Sequence, residues 1–329
     1  MGFLAWSGKT YQPEKRQIVM KDGVNKLVII GSGPAGLTAA VYGARADMEP
    51  LLFMGTKYGG QLMITSDVEN FPGFPEPILG PELMERMKAQ AERVGAKLVQ
   101  DDVVRVNFKR YPFEVTTPTQ TVKTLSVVIA TGADPKRLNL DSEMRLMGKG
   151  VSNCAVCDGF FFRGKRVAVV GGGDTAMEEA TFLTKFATSV RVIHRRDKLR
   201  ASKALQKAAF SNPKISFIWD SVVEEVLGSS RVEGVKIRNI KTGKESILEV
   251  DGLFVSIGYD PNTKVFAGEI ELDPMGYVIT RNGTETSVPG VFVAGDAHDY
   301  RYRQAVTAAG DGVKALMDAE KFVEEKLRG

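Results

Sequence analysis

The feature that most constrains the fold is a pair of glycine-rich loops about 140 residues apart, each between a short apolar segment and a helix-compatible one. The first follows residues 27–30 and consists of Gly31, Ser32, Gly33, Pro34, Ala35 and Gly36. The second follows residues 167–170 and contains Gly171, Gly173, Asp174, Thr175 and Ala176. A strand, a glycine turn and a helix in this order form the dinucleotide-binding fingerprint, in which N–H groups at the helix start receive a pyrophosphate. We therefore predict an α/β protein with two nucleotide-binding units.

A basic segment stands where the second unit would carry an acid for a ribose hydroxyl. About twenty residues after the second loop, the chain has His194, Arg195, Arg196 and Arg200. Guanidinium groups bind a phosphate through paired hydrogen bonds, so this unit is predicted to prefer NADP(H) to NAD(H). The alternative is that the cluster is only the solvated, basic start of a helix.

The only two cysteines, Cys154 and Cys157, lie three positions apart. Zinc would need four ligands, and the sequence adds only His194 and His298, so no metal site is predicted. A structural disulfide across so short a loop would add little stability. The pair is therefore predicted to cycle between dithiol and disulfide, with one thiol attacking an incoming disulfide and the other resolving the product.

An acid, Asp158, directly follows the second cysteine and precedes Gly159. A carboxyl group here could move the proton that thiol exchange requires, provided that partial burial raises its pKa. Alternatively, it only caps a turn with Gly159. The spacing leaves both interpretations open.

A third segment, residues 288–305, combines a predicted strand, a small-residue elbow and a helix start. Asp296, after Gly295, could bond the ribityl hydroxyls of a flavin. The helix opens with Arg303, Gln304 and Ala305. Its first N–H groups could meet an electron-rich flavin edge, although the pattern also fits an ordinary strand–helix junction.

Charge and hydropathy exclude several functions. The chain has 44 basic and 40 acidic residues, a net charge of +4, and no long run of one sign, so nucleic-acid binding is not expected. No stretch of about eighteen apolar residues occurs, and charges recur from Lys9 to Lys26, so neither a membrane span nor a secretory signal is expected. We expect a soluble protein of the cytoplasm.

Taken in order, these motifs resemble those of the low-molecular-weight thioredoxin reductases, in the two-dinucleotide-binding flavoprotein superfamily. The resemblance extends from about residue 26 to about 325 and includes residues 59–62 and 68–73. In reductases of the glutathione-reductase type, the active cysteines instead follow the first glycine loop. The position of Cys154 and Cys157 between the loops favours the smaller class.

The resemblance implies that one domain is inserted into another. The implied parts are an FAD-binding domain over residues 1–134 and 263–329 and an NADPH-binding domain over residues 135–262. Segments with Gly and Pro at 131–135 and 258–261 suit the two crossings. The fold class would be α/β with two Rossmann-like domains, and residues 1–25 form an extension outside the resemblance.

The resemblance also implies the reaction: electrons pass from NADPH through FAD and the Cys154–Cys157 disulfide to the disulfide of thioredoxin. Cys157 would face the flavin, Cys154 would attack thioredoxin, and Asp158 would act as general acid. The inserted domain would have to rotate between half-reactions, because it carries both the cysteines and the NADPH site. No thioredoxin segment follows the C-terminal helix, so thioredoxin is expected to be a separate protein. A homodimer is expected.

Further FAD-binding residues follow from the resemblance. They are Gly60, Gln61, Thr65, Asn70 and Val103. Met54 stands where several family members carry a carboxylate for the adenosine ribose, so that contact is not expected here.

Three aromatic residues, Phe160, Phe161 and Phe162, follow the cysteine pair, close to several cations. Successive side chains of a strand alternate, so the three rings cannot all point inward from one strand face. An exposed ring is predicted to anchor thioredoxin, with the cations attracting an acidic partner. The alternative is that the rings close the core beneath the pair.

Rival functions would use the same fold. A relative that takes electrons from ferredoxin, or a dithiol oxidase that passes them to oxygen, is expected to lose the second glycine loop and the arginine cluster. A non-catalytic redox sensor would form the disulfide without rapid consumption of NADPH. The intact second loop favours the NADPH-dependent reductase.

Overall fold

The computed structural model describes residues 23–65 and 67–328. The extension expected at residues 1–25 lies almost entirely outside these ranges. Within them, no helix is both long enough and apolar enough to cross a membrane.

The strands, in chain order, are β1 (Val24–Ile30), β2 (Leu51–Phe53), β3 (Asp67–Val68), β4 (Ile78–Leu79), β5 (Lys97–Val99), β6 (Arg105–Asn107), β7 (Phe113–Thr116), β8 (Thr121–Ile129), β9 (Ala133–Pro135), β10 (Val151–Ser152), β11 (Arg166–Val170), β12 (Ser189–Ile193), β13 (Ile215–Ile218), β14 (Ser221–Leu227), β15 (Gly234–Asn239), β16 (Glu245–Leu248), β17 (Gly252–Val255), β18 (Tyr259–Pro261) and β19 (Val291–Val293). The α-helices are α1 (Pro34–Arg45), α2 (Gly80–Arg93), α3 (Asp141–Arg145), α4 (Ala155–Asp158), α5 (Asp174–Leu183), α6 (Lys203–Ser211) and α7 (Ala305–Arg328). Short 3₁₀ helices lie at Gly60–Ile64, Gly159–Phe162, Lys264–Phe266 and Gly295–Ala297.

The larger sheet has the strand order β5-β2-β1-β8-β7-β6, and β19 also pairs with β8. The strands β5, β2, β1, β8 and β19 are parallel, whereas β7 and β6 continue the sheet in antiparallel fashion. Leu27 and Ile29 of β1 pack in the cluster that contains α1 and α7, and Val28 and Ile30 pack in the cluster on the opposite face. Both faces are buried, which explains the unbroken apolar run before the first glycine loop.

The smaller sheet consists of five parallel strands in the order β10-β17-β11-β12-β13. Val167 and Val169 pack with α5 and α6, and Ala168 and Val170 pack with the antiparallel sheet β14-β15-β16. All its strands lie between residues 151 and 255, whereas the larger sheet takes β19 from a later part of the chain. The prediction of an α/β fold with one Rossmann-like unit inserted into another is confirmed.

The chain crosses between the two units at β9 and β18, which pair with each other in antiparallel fashion. Lys136 N donates to Gly258 O at 2.9 Å, and Lys136 Nζ lies 3.1 Å from Asp260 Oδ1. The two crossings therefore form one small ladder, and both connections run through the same place.

The first glycine loop depends on the absence of side chains at two positions. Gly31 has a φ of +107°, in the left-handed region, and a Cβ there would overlap Ala130 O. A Cβ on Gly36 would overlap the carbonyl oxygen of Gly31, so α1 can approach the loop only with glycine at this position. By contrast, nothing lies within 4 Å of a Cβ built on Gly33.

We therefore expect Gly36→Ala to destabilise the chain by about 2 kcal/mol or more, because the clash is with backbone that cannot rotate away. The measurement is urea unfolding of the flavin-free protein. Gly33→Ala is the matched control and should unfold like the unaltered chain. Equal stability of Gly36→Ala and Gly33→Ala would contradict this account of the loop.

Candidate active site

A cavity of about 450 Å³ opens at the carboxyl ends of β1, β2, β8 and β19, where the first glycine loop begins. Parallel α/β sheets bind their ligands at this end of the strands. Fifteen of the predicted cofactor-binding residues line it: Gly31, Ser32, Gly33, Pro34, Ala35, Gly60, Gln61, Thr65, Asn70, Val103, Gly295, Asp296, Arg303, Gln304 and Ala305. Gly36 lies behind the loop, where the absence of a side chain lets α1 pack against Gly31. The structure thus brings together residues from four separate parts of the sequence.

Three residues that line this cavity each carry a buried polar atom with no hydrogen-bond partner among the described residues: Thr131 Oγ1, Asn153 Oδ1 and Arg303 Nε. Buried polar groups almost always have partners, so this cavity suits a ligand with polar atoms of its own. A flavin dinucleotide fits that requirement. Sequence reasoning missed Thr131 and Asn153, although Thr131 directly follows a buried strand, Thr121–Ile129, in the loop at its carboxyl end.

Ser32 holds the loop itself in shape. Its hydroxyl donates to Met54 O at 2.8 Å and accepts the N–H of Gly59 at 3.1 Å. Beside Met54, Asp102 accepts hydrogen bonds from the backbone N–H and the hydroxyl of Thr56, each at 2.9 Å, and it also lines the cavity. An acid is therefore present near the expected ribose position, but it comes from a different segment than the sequence pattern suggested.

Asp296 lies at the end of β19, where the predicted elbow places it. Burial raises its pKa to about 7, and the neighbouring Asp299 adds to this effect. Hydroxyl donors from a ribityl chain would stabilise the ionised form. The position suits the predicted contact, since the carboxyl faces the cavity that the flavin would fill.

The two cysteines form a disulfide at the start of α4, and both line the same cavity. Cys154 is the N-cap residue, and its sulfur accepts the N–H of Cys157 at 3.2 Å. From the other unit, Gln304 Nε2 lies 3.8 Å from Cys154 Sγ and 3.9 Å from Cys157 Sγ. Asn70 orients this amide by donating to its oxygen at 3.2 Å. The disulfide therefore faces the cavity of the first glycine loop.

Asp158 is largely buried beside the pair, and this burial raises the pKa of its carboxyl above the ordinary value. A hydrogen bond from Ser152 opposes the shift. The side chain does not cap the turn that begins at Gly159. Asp158 and Ser152 also line a second cleft, of about 380 Å³, which gives the carboxyl a route for proton exchange. A raised pKa in this setting suits a group that exchanges protons with the neighbouring sulfurs.

The second glycine loop lies elsewhere, and none of its residues lines the cavity. Gly171 is held against Ser256 O, and Arg200 N donates to Gly172 O at 2.7 Å, so the basic segment folds back over the loop. Arg195, Arg196 and Arg200 are exposed there. The second glycine loop and the three arginines therefore lie at a different site from the disulfide.

Two of the residues predicted to bind NADPH, His194 and Asp174, make contacts within the protein itself. The ring of His194 is buried against Gly172, its Nε2 lies 3.0 Å from Lys198 O, and burial lowers its pKa. Asp174 Oδ1 accepts the N–H of Ser202 at 2.6 Å, just before α6. Thr175 and Ala176 lie in the first turn of α5, as the fingerprint requires.

The rings after the cysteine pair are divided between surface and core. Phe160 and Phe161 are 56% and 40% exposed, whereas Phe162 is 7% exposed and packs edge-on against Phe254. The expectation that not all three rings are buried is confirmed, but its reason was wrong. The segment is a 3₁₀ helix, Gly159–Phe162, rather than a strand. Arg163 lies over the Phe160 ring at 5.4 Å.

Known proteins resemble this chain in sequence and in fold. The sequence model of the pyridine nucleotide-disulphide oxidoreductases matches residues 25–312. The thioredoxin reductase of Streptomyces coelicolor is 55% identical over 306 residues, which cover 91% of this chain and 94% of the relative. That of Rickettsia felis is 51% identical over 305 residues, covering 91% and 98%.

Two solved structures are similar over nearly the whole chain. The thioredoxin reductase of Giardia duodenalis has a TM-score of 0.87 at 44% identity, covering 91% of this chain and 98% of its own. That of Lactococcus lactis in its FR conformation has a TM-score of 0.61 at 42% identity, covering 92% and 99%. The identities are nearly equal, so the difference in TM-score points to a different arrangement of parts rather than to greater divergence.

Asp158→Asn should slow reduction of the Cys154–Cys157 disulfide by dithiothreitol about tenfold to a hundredfold, because the leaving sulfur loses its proton donor. In the unaltered chain the protonated form is the active one. The advantage over the variant should therefore shrink as the pH rises through the raised pKa of Asp158. The rate is measured from about pH 5 to about pH 9, a range that spans neutral pH. Each rate is divided by the fraction of dithiothreitol that is present as thiolate. Equal rates for both proteins would contradict a general-acid role.

Proposed function

The chain belongs to the pyridine nucleotide-disulphide oxidoreductase family and, within it, to the thioredoxin reductases, and we propose that it transfers electrons from NADPH to the disulfide of thioredoxin. The observation that supports this most directly is the Cys154–Cys157 disulfide in the cavity of the first glycine loop. A redox pair and a dinucleotide site share one chamber, as electron transfer between them requires.

FAD and NADPH are the cofactors of this family. The first glycine loop, Asp296 and the start of α7 would hold FAD, and Thr131 Oγ1 and Arg303 Nε could find partners on it. When bound, FAD supplies a two-electron carrier between NADPH and the disulfide. For NADPH, we assign the second glycine loop with Arg195, Arg196 and Arg200, within a domain at residues 135–262. Exposed guanidinium groups suit the extra phosphate.

The two thiols have different tasks in this proposal. The Cys154 thiolate attacks the thioredoxin disulfide, forming a mixed disulfide and releasing one thioredoxin thiolate, which takes up a proton. Cys157 then attacks Cys154, which restores the protein's own disulfide and releases the second thioredoxin thiol. The N–H of Cys157 donates to the Cys154 sulfur, and such a donor stabilises a thiolate. Asp158 holds the proton that the sulfurs exchange.

The arrangement in this structure cannot serve the whole cycle. The disulfide faces the cavity, the second glycine loop does not line it, and a protein the size of thioredoxin could not enter. We propose that the inserted unit rotates about the β9–β18 ladder between half-reactions. The lower TM-score to the FR conformation supports this proposal.

Thioredoxin is proposed to dock on the exposed rings of Phe160 and Phe161. Large aromatic side chains at a surface anchor protein interfaces, and Arg163 beside them would attract an acidic partner. The intact second glycine loop favours NADPH over ferredoxin as donor. A homodimer and a location in the cytoplasm rest on the resemblance to the family.

Cys154→Ser and Cys157→Ser should each abolish reduction of thioredoxin while leaving the flavin reducible by NADPH. Each variant blocks only the transfer of electrons from the flavin to thioredoxin. Stopped-flow absorbance of the FAD-loaded protein follows both steps. Val156→Ala, between the two cysteines and 56% exposed, is the control for local disturbance and should retain turnover. Normal turnover by either serine variant would overturn the proposed path.

Phe160→Ala should raise the KM for thioredoxin about tenfold with little change in kcat, because an interface anchor is removed and the redox groups are not. Phe210→Ala is the matched control, since Phe210 is 55% exposed on α6, away from the pair. An unchanged KM in Phe160→Ala would refute the docking surface.

A further inference from the structure

A partly buried carboxyl group that the mechanism above does not use lies directly behind the redox pair. Glu179, on α5, accepts the backbone N–H of Ala155 at 3.3 Å and the hydroxyl of Ser256 through its other oxygen. Ala155 is fully buried and follows Cys154 in the chain. One side chain thus connects α5, the residue after β17 and the first turn of the redox helix α4.

Two groups at this turn act on the Cys154 sulfur in opposite directions. The N–H of Cys157 donates to the sulfur and favours the thiolate. Glu179 binds the N–H of the adjacent residue, so its negative charge lies within one peptide unit of Cys154 and disfavours a second negative charge there. The exchange rate and the reducing power of the pair depend on the balance between these effects.

The charged and titratable groups around Glu179 are few. Arg303 faces it from the loop before α7, Tyr259 faces it from β18, and Glu178 is its exposed neighbour on α5. Burial raises the pKa of Glu179 to about 7, although the bonds from Ser256 and Ala155 oppose the shift. The carboxyl is therefore ionised in the range above neutral pH in which thiols titrate.

We propose that Glu179 is a positioning residue of the redox pair, which fixes the first turn of the redox helix and whose charge limits formation of the Cys154 thiolate. This inference rests on the proposed function only for the identity of Cys154 as the attacking thiol. A strongly stabilised thiolate would make the dithiol a weaker reductant. Glu179 thereby keeps the pair reducing enough to pass its electrons on.

Glu179→Gln separates charge from geometry, because glutamine has the same shape: its oxygen can accept the N–H of Ala155, and its amide group can donate to the hydroxyl of Ser256. The FAD-loaded protein is reduced with dithiothreitol, which is then removed under argon, and alkylation of Cys154 by iodoacetamide is followed by peptide mass spectrometry at a series of pH values. The midpoint of the rate–pH profile should fall by about half a pH unit or more in the variant. Glu178→Gln, with the same change of charge on the exposed side of α5, should leave the midpoint in place.

A midpoint in Glu179→Gln equal to that of the unaltered chain would overturn the proposal, and so would equal shifts in Glu179→Gln and Glu178→Gln. FAD absorbance verifies that each variant folds. The alkylation assay uses neither NADPH nor thioredoxin. Failure of the proposed function would therefore appear as absent turnover in the unaltered chain, with the alkylation midpoint still lower in Glu179→Gln. Failure of this inference would appear as normal turnover with an unshifted profile.

Discussion

One pair of sulfur atoms must contact the flavin cavity and a protein partner in turn, and the rest of the structure is organised around this constraint. The pair lies at a one-turn helix of the inserted unit, and the cavity is lined by residues of both units. Gln304, which Asn70 orients, reaches across to the disulfide through weak contacts of 3.8 and 3.9 Å to the two sulfurs. Weak contacts suit an interface that must open in each cycle, whereas each unit keeps its own apolar core.

Electrostatics at the cavity follow from burial more than from ion pairs. Three carboxyl groups, Asp158, Glu179 and Asp296, have raised pKa values, and in each case removal from water is the largest cause. A carboxyl that keeps its proton near neutral pH can donate it, and one that ionises beside a thiol changes that thiol's reactivity. Asp158 follows Cys157 in the chain and Glu179 binds the N–H of the residue after Cys154, so both acids lie where the charge on the sulfurs changes.

The fold was largely predictable from sequence because its strongest signals are local. Glycines are required where a Cβ would meet backbone, as at Gly31 and Gly36, and an apolar run is required where both faces of a strand are buried. The cysteine pair was equally easy to recognise, because the spacing of two cysteines along the sequence is enough to predict a redox disulfide.

Other site residues could not be predicted in the same way, because their roles depend on the tertiary structure. His194 belongs to the basic motif, yet its ring packs against Gly172 inside the unit. Glu179 looks like any acid on a helix until the fold brings Ala155 over it. Likewise, Asp102 reaches Thr56 from a distant segment, where the pattern around Met54 suggested that no acid would be present.

If the flavin site and the disulfide form one electron path, NADPH must reduce both. The most direct test is an anaerobic titration of the FAD-loaded chain with NADPH, with thiols counted at each point. The account predicts that the protein takes up two electrons for the flavin and two more for the disulfide, and that two new thiols appear. Uptake of only the flavin's two electrons, with the disulfide still intact at excess NADPH, would contradict it.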